Sequence, residues 1–161
     1  MASEPAEAAP QGQFEGDVQS GASVVLLVED DLFIRMDVGE QLREAGWTVY
    51  EVGTADEAIE LLRTPMMIDL VLTDVEMPGK LDGLGLAAYV RSERPALKLA
   101  IMSGHVRPAQ QHAHLFDRFF SKPVTALVAE LRTLMNATET PADRSPRHGT
   151  QISTKPNDSR S

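Results

Sequence analysis

Short apolar runs alternate with amphipathic segments along the middle of the chain. Residues 24–28 are apolar throughout, as expected of a strand buried on both faces of a sheet. Further short strands are predicted at residues 48–52, 68–73, 97–102 and 119–121. Apolar residues at helical spacing lie between these runs, which predicts that strands and helices alternate along the chain.

The predicted helices have recognisable ends or apolar stripes. The first ends at Gly46, and residues 54–57 read Thr-Ala-Asp-Glu, a capping box that should open the second. The third spans about 84–91 and the last about 127–134, whereas residues 108–114 give only a weak signal for a short helix. The buried face of the second helix is expected to consist of Ala55, Ala58, Ile59 and Leu62.

Five strand–helix units in succession predict an α/β fold, with a parallel sheet and helices on both of its faces. Because the crossover connections are right-handed, the topology should be a doubly wound sheet. The ligand site of such a sheet lies at the carboxyl ends of its strands, where the strand order reverses. Candidate chemistry is therefore sought at those strand ends.

The two ends of the chain lack this pattern. Residues 1–22 are rich in Ala, Pro, Glu, Gly and Gln, and residues 137–161 in Thr, Pro, Ser, Arg and Asp. Both segments are expected to be disordered, which leaves one folded domain at residues 23–136. With no second domain predicted, any output should pass to a partner in trans.

Composition excludes several functional classes. The chain has 161 residues and a formal net charge of −9, which disfavours contact with nucleic-acid phosphates. It has no cysteine, so thiolate nucleophiles and sulfur metal sites are excluded. The N-terminus has neither the basic nor the apolar region of a signal peptide, and no apolar run is long enough to span a membrane. The expected location is the cytoplasm.

Carboxylates follow two of the predicted strands. Glu29 and Asp30 come directly after the first strand, and Asp74 directly after the third. A dinucleotide-binding fold would instead place a glycine-rich loop after its first strand. If the two strands are neighbours, the acids converge and repel one another unless a hard cation joins them. Mg²⁺ suits such a site, because it binds a few carboxylate oxygens and keeps several waters.

Two further polar residues follow the remaining strands. Ser103 precedes a glycine after the fourth strand, and Lys122 precedes a proline after the fifth. Read alone, the first pattern is an ordinary turn and the second a solvated surface charge. His105, His112 and His114 are interpreted as polar loop residues, because the spacing of the last two argues against a shared metal ion.

Taken together, the motifs at these strand ends resemble the receiver domains of response regulators in bacterial two-component signalling, of the stand-alone type. The similarity covers about residues 24–135 and implies a flavodoxin-like sheet with strand order 2-1-3-4-5. The motifs that carry it are Leu-Val-Glu-Asp-Asp at 27–31, Thr-Asp-Val-Glu-Met-Pro-Gly at 73–79 with Asp-Gly at 82–83, Met-Ser-Gly at 102–104 and Ser-Lys-Pro at 121–123.

The resemblance implies a phosphorylation switch. Asp74 matches the residue that accepts a phosphoryl group from the phosphohistidine of a sensor histidine kinase. Glu29 and Asp30 match the acidic pair that holds Mg²⁺ together with Asp74, and the backbone carbonyl of Glu76 matches a further ligand. Such a domain is not an enzyme towards other molecules, since it promotes only its own phosphorylation and dephosphorylation.

The resemblance also assigns the remaining strand-end residues. Lys122 matches the lysine that pairs with the phosphoryl group, Ser103 the hydroxyl that moves to bind it, and Phe119 the aromatic ring that swings inward with that hydroxyl. The signal would pass to a downstream protein or, in a phosphorelay, to a histidine phosphotransfer partner. A phosphate sink that drains a shared kinase is the alternative that the sequence leaves open.

Two departures from the family pattern and two rival functions remain. Residues 78–83 carry one residue more than the commonest version of that loop, and residues 104–118 are so poor in apolar periodicity that a stunted or irregular helix is expected there. A Mg²⁺-dependent phosphatase of the haloacid dehalogenase type would need an aspartate two residues after its nucleophile, where this chain has Glu76. The second rival is a degenerate receiver that acts only as a docking module.

Overall fold

A computed structural model describes residues 22–137 of the chain. The predicted disordered ends lie outside this range, apart from their boundary residues 22 and 137. Five parallel strands form one sheet in the order β2-β1-β3-β4-β5, so the predicted doubly wound topology is confirmed. The strands are β1 Val24–Val28, β2 Thr48–Val52, β3 Leu70–Asp74, β4 Lys98–Ser103 and β5 Arg118–Ser121.

Four α-helices and one 3₁₀ segment connect or follow these strands in the described range. They are α1 Leu32–Glu44, α2 Ala55–Arg63, α3 Gly83–Glu93, the 3₁₀ segment Gln110–Leu115 and α4 Leu127–Asn136. The 3₁₀ segment stands where the weak helix was expected, and none of its residues is buried. A segment without an apolar stripe gains little from packing, which accounts for the absence of a regular α-helix there.

The core lies on both faces of the sheet. One cluster joins alternate strand residues such as Leu26 and Val71 to α2 and α3, and the other joins Val25 and Leu72 to α1 and α4. Because helices cover both faces, every position of β1 must be apolar, which explains the uninterrupted run at residues 24–28. The predicted inner face of α2 is confirmed in full, since all four of its residues are buried.

Polar side chains cap the starts of α1, α2 and α3. The Asp31 carboxylate accepts hydrogen bonds from the backbone amides of Phe33 and Ile34, which begins α1 immediately after β1. At α2, Thr54 Oγ1 accepts from the Glu57 amide as predicted. The Glu57 carboxylate reaches the amide of Gly53, one residue before the partner that a capping box requires.

In the described part of the chain, no helix combines the length and apolar character needed to cross a membrane.

Candidate functional site

The three predicted acids meet at the carboxyl ends of β1 and β3. The two strands are neighbours, with Val28 opposite Thr73, so Glu29 and Asp74 lie side by side. Glu29 is 1% exposed and Asp74 7%, whereas Asp30 is exposed. Each acid offers an oxygen atom within 4.8 Å of the others. These three carboxylates therefore form a group that could hold a metal ion, and no histidine belongs to it.

Lys122 contacts two of these acids from the end of β5, the edge strand of the sheet. It follows β5, and its amide donates a hydrogen bond of 2.8 Å to the Ser103 carbonyl at the end of β4. Its Nζ lies 2.6 Å from Glu29 Oε2 and 2.9 Å from Asp74 Oδ2. The Lys122–Pro123 peptide bond is cis. The lysine therefore points into the acidic crevice and is not a solvated surface charge.

The pKa values of Glu29 and Lys122 are both raised, but for different reasons. Burial raises the pKa of Glu29, and the charge of Asp74 adds to that effect, while the hydrogen bond from Lys122 opposes it. Burial lowers the pKa of Lys122, but its bonds to the two carboxylates outweigh burial and raise the pKa overall. The two shifts are compatible because Lys122 has two anionic partners, whereas Glu29 has one cationic partner and is almost fully buried.

Ser103 ends β4 and is buried. Its Oγ accepts hydrogen bonds from the amides of Val106 (3.0 Å) and His105 (3.3 Å), and its hydroxyl donates one of 3.5 Å to Glu76 Oε2. His105 is 90% exposed, and its Nδ1 lies 3.7 Å from the same carboxylate oxygen. In this conformation, the hydroxyl of Ser103 supports the loop after β4 and contacts the acidic crevice through Glu76, which lines it.

Phe119 lies in β5, is partly buried and packs against the core cluster beneath α2 and α3. The guanidinium of Arg107 covers the ring, with its central carbon 5.4 Å from the ring centroid. Arg107 was not predicted, because nothing in the sequence distinguishes it from a surface arginine. The contact places residues 104–107 between Ser103 and Phe119, the two predicted switch residues.

The loop after β3 is built against the backbone of Asp74. The amide of Glu76 donates a hydrogen bond of 3.3 Å to Asp74 Oδ1, and the amide of Gly83 donates one of 3.0 Å to the Val75 carbonyl. A Cβ atom at Gly83 would lie 1.8 Å from the Asp74 carbonyl oxygen. Only glycine therefore permits α3 to begin this close to the acidic site.

The crevice opens into a groove of about 930 Å³ between α1 and the segment after β5. Its far walls are largely apolar and include Pro123, Val124 and Leu127. At its rim, Phe33 is 81% exposed. This groove could not be predicted from the sequence, because its walls come from elements that are distant along the chain.

A doubly wound five-stranded sheet with an acidic cluster and a lysine at its strand ends defines a receiver-type fold. Residues 25–133 match the family described as the response regulator receiver domain, and the chain belongs to that family. Its receiver fold was therefore identified correctly from the motifs at the strand ends. This match covers most of the described domain and includes every predicted site residue.

Two relatives illustrate where such domains occur. The transcriptional regulatory protein PdtaR of Mycobacterium tuberculosis is 35% identical over 140 residues, with 72% of this chain and 66% of the relative covered. The sensor kinase CckA of Brucella abortus is 36% identical over 91 residues, with 56% of this chain and 10% of the relative covered. The chain thus spans less than two thirds of the length of either relative.

Solved structures share the fold over nearly their whole length. A response regulator receiver protein from Sinorhizobium medicae is 31% identical with a TM-score of 0.65, covering 73% of this chain and 98% of that protein. The response regulator TrrA of Thermotoga maritima, solved in complex with Mg²⁺-BeF, is 24% identical with a TM-score of 0.64, covering 70% of this chain and 98% of that protein. The second likeness concerns the fold alone.

Proposed function

We propose that Asp74 accepts a phosphoryl group from the phosphohistidine of a sensor histidine kinase. The observation that carries this proposal is the position of Lys122, whose ammonium binds Asp74 and the neighbouring Glu29 at the same time. In the proposed step, an Asp74 carboxylate oxygen forms the new bond to phosphorus as the bond to the histidine nitrogen breaks. The displaced nitrogen keeps the bonding electrons, and the ring leaves as neutral imidazole because its other nitrogen carries a proton in the phosphohistidine.

Mg²⁺ is proposed to bind at Glu29, Asp30 and Asp74, with the Glu76 backbone carbonyl as a further ligand. The donor set fits a hard divalent cation, because its side-chain ligands are all carboxylate oxygens within 4.8 Å of one another. Burial disfavours the ionised form of Glu29, so a bound cation would stabilise the charge that the fold places there. When bound, the ion neutralises charge on the phosphoryl oxygens.

The remaining residues hold the phosphoryl group and respond to it. The Lys122 ammonium, already 2.9 Å from Asp74 Oδ2, would pair with a phosphoryl oxygen. The Ser103 hydroxyl would turn towards another phosphoryl oxygen, and the ring of Phe119 would move into the space it leaves. This local change biases a two-state element, as other phosphorylation switches do.

Receiver domains are signalling domains and interact with sensor histidine kinases. For this chain, we propose that the domain promotes only its own phosphorylation and dephosphorylation. We further propose that it acts in the cytoplasm on a downstream protein or a histidine phosphotransfer partner, without contact to nucleic acid or membrane. A phosphate sink or phosphorelay shuttle remains the alternative, and phosphotransfer profiling against the host's kinases and phosphotransfer proteins separates these roles.

The central test is phosphorylation of the full chain by a small acyl phosphate with Mg²⁺, followed by mass measurement of the intact protein. We expect one phosphate adduct, which disappears in Asp74→Asn and when a chelator replaces Mg²⁺. Asp56→Asn, which changes an exposed acid in the first turn of α2, is the matched control and should keep the adduct. An adduct that survives Asp74→Asn would contradict the assignment.

The same preparation distinguishes the two rival functions. A phosphatase would release phosphate repeatedly from a generic phosphate ester. That chemistry is disfavoured here, because Asp74 lies on β3 and the residue two positions later is Glu76 instead of an aspartate. A degenerate docking module would form no adduct at all. Sustained turnover would therefore favour the phosphatase, and a complete lack of adduct the docking module.

A further inference from the structure

Arg35 lies in the first turn of α1 and reaches back to the end of β1. Its Nη1 donates a hydrogen bond of 2.6 Å to the backbone carbonyl of Glu29, and its side chain is 19% exposed. Its Nε lies 3.8 Å from Glu51 Oε2 in β2. A Cβ atom at Gly53 would lie 3.5 Å from Nη1, so the guanidinium also fits against the backbone that follows β2.

The carbonyl that Arg35 binds belongs to the peptide unit between Glu29 and Asp30. That unit is planar, so a partner that holds its oxygen also fixes the rotation of the whole plane. The two neighbouring side chains leave the backbone in directions set by this rotation. On the other side of Glu29, its amide donates a hydrogen bond of 3.2 Å to the Val52 carbonyl. Both adjacent acids are thus oriented through main-chain contacts.

We propose that Arg35 is a positioning residue for divalent-cation binding at Glu29, Asp30 and Asp74, acting through the Glu29 carbonyl. The inference rests on the proposed Mg²⁺ site and adds a residue outside the set of expected ligands. Outer contacts that orient metal ligands commonly contribute a factor of about 10 to 100 in metal affinity. We expect the Mg²⁺ dissociation constant to rise about tenfold when the contact is lost.

The sign of this effect separates positioning from charge. Arg35 is a cation close to a site for a cation, so its charge alone opposes Mg²⁺ binding. If charge were its only influence, Arg35→Gln would bind Mg²⁺ more tightly than the unaltered protein. If Arg35 positions the acids, the same substitution weakens binding despite removing the repulsion. The two explanations therefore predict opposite changes.

Arg43 offers a matched control on the same helix. Its Nη2 lies 2.5 Å from Glu51 Oε1, so Arg35 and Arg43 share one carboxylate partner. The hydrogen bond to the Glu29 carbonyl comes from Arg35. Arg43→Gln thus removes a positive charge from the same cluster without removing that hydrogen bond, and we expect it to leave the Mg²⁺ affinity unchanged within a factor of two to three.

The experiment is calorimetric titration of the full chain with Mg²⁺, with binding reversed by a chelator, together with a melting curve of each variant in chelator. Arg35→Lys is a second variant that keeps the charge but lacks the planar guanidinium able to face the carbonyl and Glu51 together. Weaker binding in Arg35→Gln and Arg35→Lys, with Arg43→Gln unchanged, supports the inference.

Three outcomes would overturn it. They are unchanged or tighter binding in Arg35→Gln, an equal loss in Arg43→Gln, and, if Arg35→Gln does not melt cooperatively, an unaltered affinity in Arg35→Lys. A different result would defeat the proposed metal site itself: an unaltered protein that shows no chelator-reversible Mg²⁺ binding. The failure of the inference and that of the proposed function are therefore distinguishable.

Discussion

Neutralising Glu29 should stabilise the metal-free domain. Its side chain is 1% exposed, and its carboxylate has Lys122 as its cationic partner. The pKa of Glu29 is raised, first by burial and then by the charge of Asp74, which means that folding shifts its protonation equilibrium towards the neutral form. Glu29→Gln has nearly the shape of that neutral form and keeps an oxygen that can accept the lysine's hydrogen bond.

The expected magnitude follows from the linkage between protonation and folding. Each unit by which folding raises a pKa corresponds to about 1.4 kcal/mol, so we expect a gain on the order of 1 kcal/mol at pH 7. Because the pKa of Glu29 is raised in the folded state, the associated stability is complete below its ordinary value of 4.5 and is lost as pH rises through the folded-state value. The advantage of Glu29→Gln should therefore be largest at neutral pH and vanish in acid.

The assay is urea unfolding in chelator at pH 7 and near pH 4.5, repeated with Mg²⁺ at pH 7. Mg²⁺ at a hundred times its dissociation constant should stabilise the unaltered protein by about 2.7 kcal/mol, and Glu29→Gln should lose most of that gain. The control Glu60→Gln, on the exposed surface of α2, should stay within about 0.5 kcal/mol throughout. A Glu29→Gln variant that is less stable at pH 7, or whose advantage persists in acid, would refute the reasoning.

Four further predictions concern the lysine, the glycine contact, the switch and the ends of the chain. Lys122→Met should lower the free energy of unfolding in chelator by about 3 kcal/mol, measured with urea, because it leaves two buried acids without their cation. Gly83→Ala should cost about 2–3 kcal/mol in the same assay, since its Cβ would overlap the backbone of β3, whereas Gly104→Ala, with nothing within 4 Å of its Cβ, should cost little. Ser103→Ala should still accept phosphate, but the NMR shifts of the Phe119 ring should no longer respond to phosphorylation. A chain trimmed to residues 23–136 should melt within a few degrees of the full chain and form the same adduct, and a larger loss would show that one end docks onto the domain.

The strand and helix pattern was predictable because both faces of the sheet are covered, which forces apolar runs in the strands. The start of β3 was harder to predict from the sequence. Ile68 is buried and looked like part of the strand, yet the ladder begins at Leu70. The reason lies at Asp69, whose carboxylate accepts a hydrogen bond from the Val24 amide and whose own amide donates to the Val24 carbonyl. An apolar residue can thus be buried beside a sheet without belonging to it.

The acidic cluster was predictable because parallel strands bring their carboxyl ends to one edge. Its electrostatics were not fully so. The sequence predicts repulsion among the acids, and the charge of Asp74 does raise the pKa of Glu29, but burial is the larger cause. The depth of a side chain depends on the whole fold, so the sequence could not reveal which acid is most buried. The same limit applies to Arg35, whose contact depends on where α1 turns back over β1.

The loop after β4 connects the two residues that the proposed switch requires. Ser103 Oγ accepts a hydrogen bond from the amide of Val106, and the next residue, Arg107, covers the ring of Phe119. If the hydroxyl turns towards a phosphoryl group, the Val106 amide loses its acceptor, and the backbone that carries Arg107 is released from its support at β4. The 3₁₀ segment that follows has no buried residue, although Leu115 at its end packs partly against the core. In the proposed switch, a change of one buried hydroxyl would therefore reach the surface through residues 104–107, without a regular helix to transmit it.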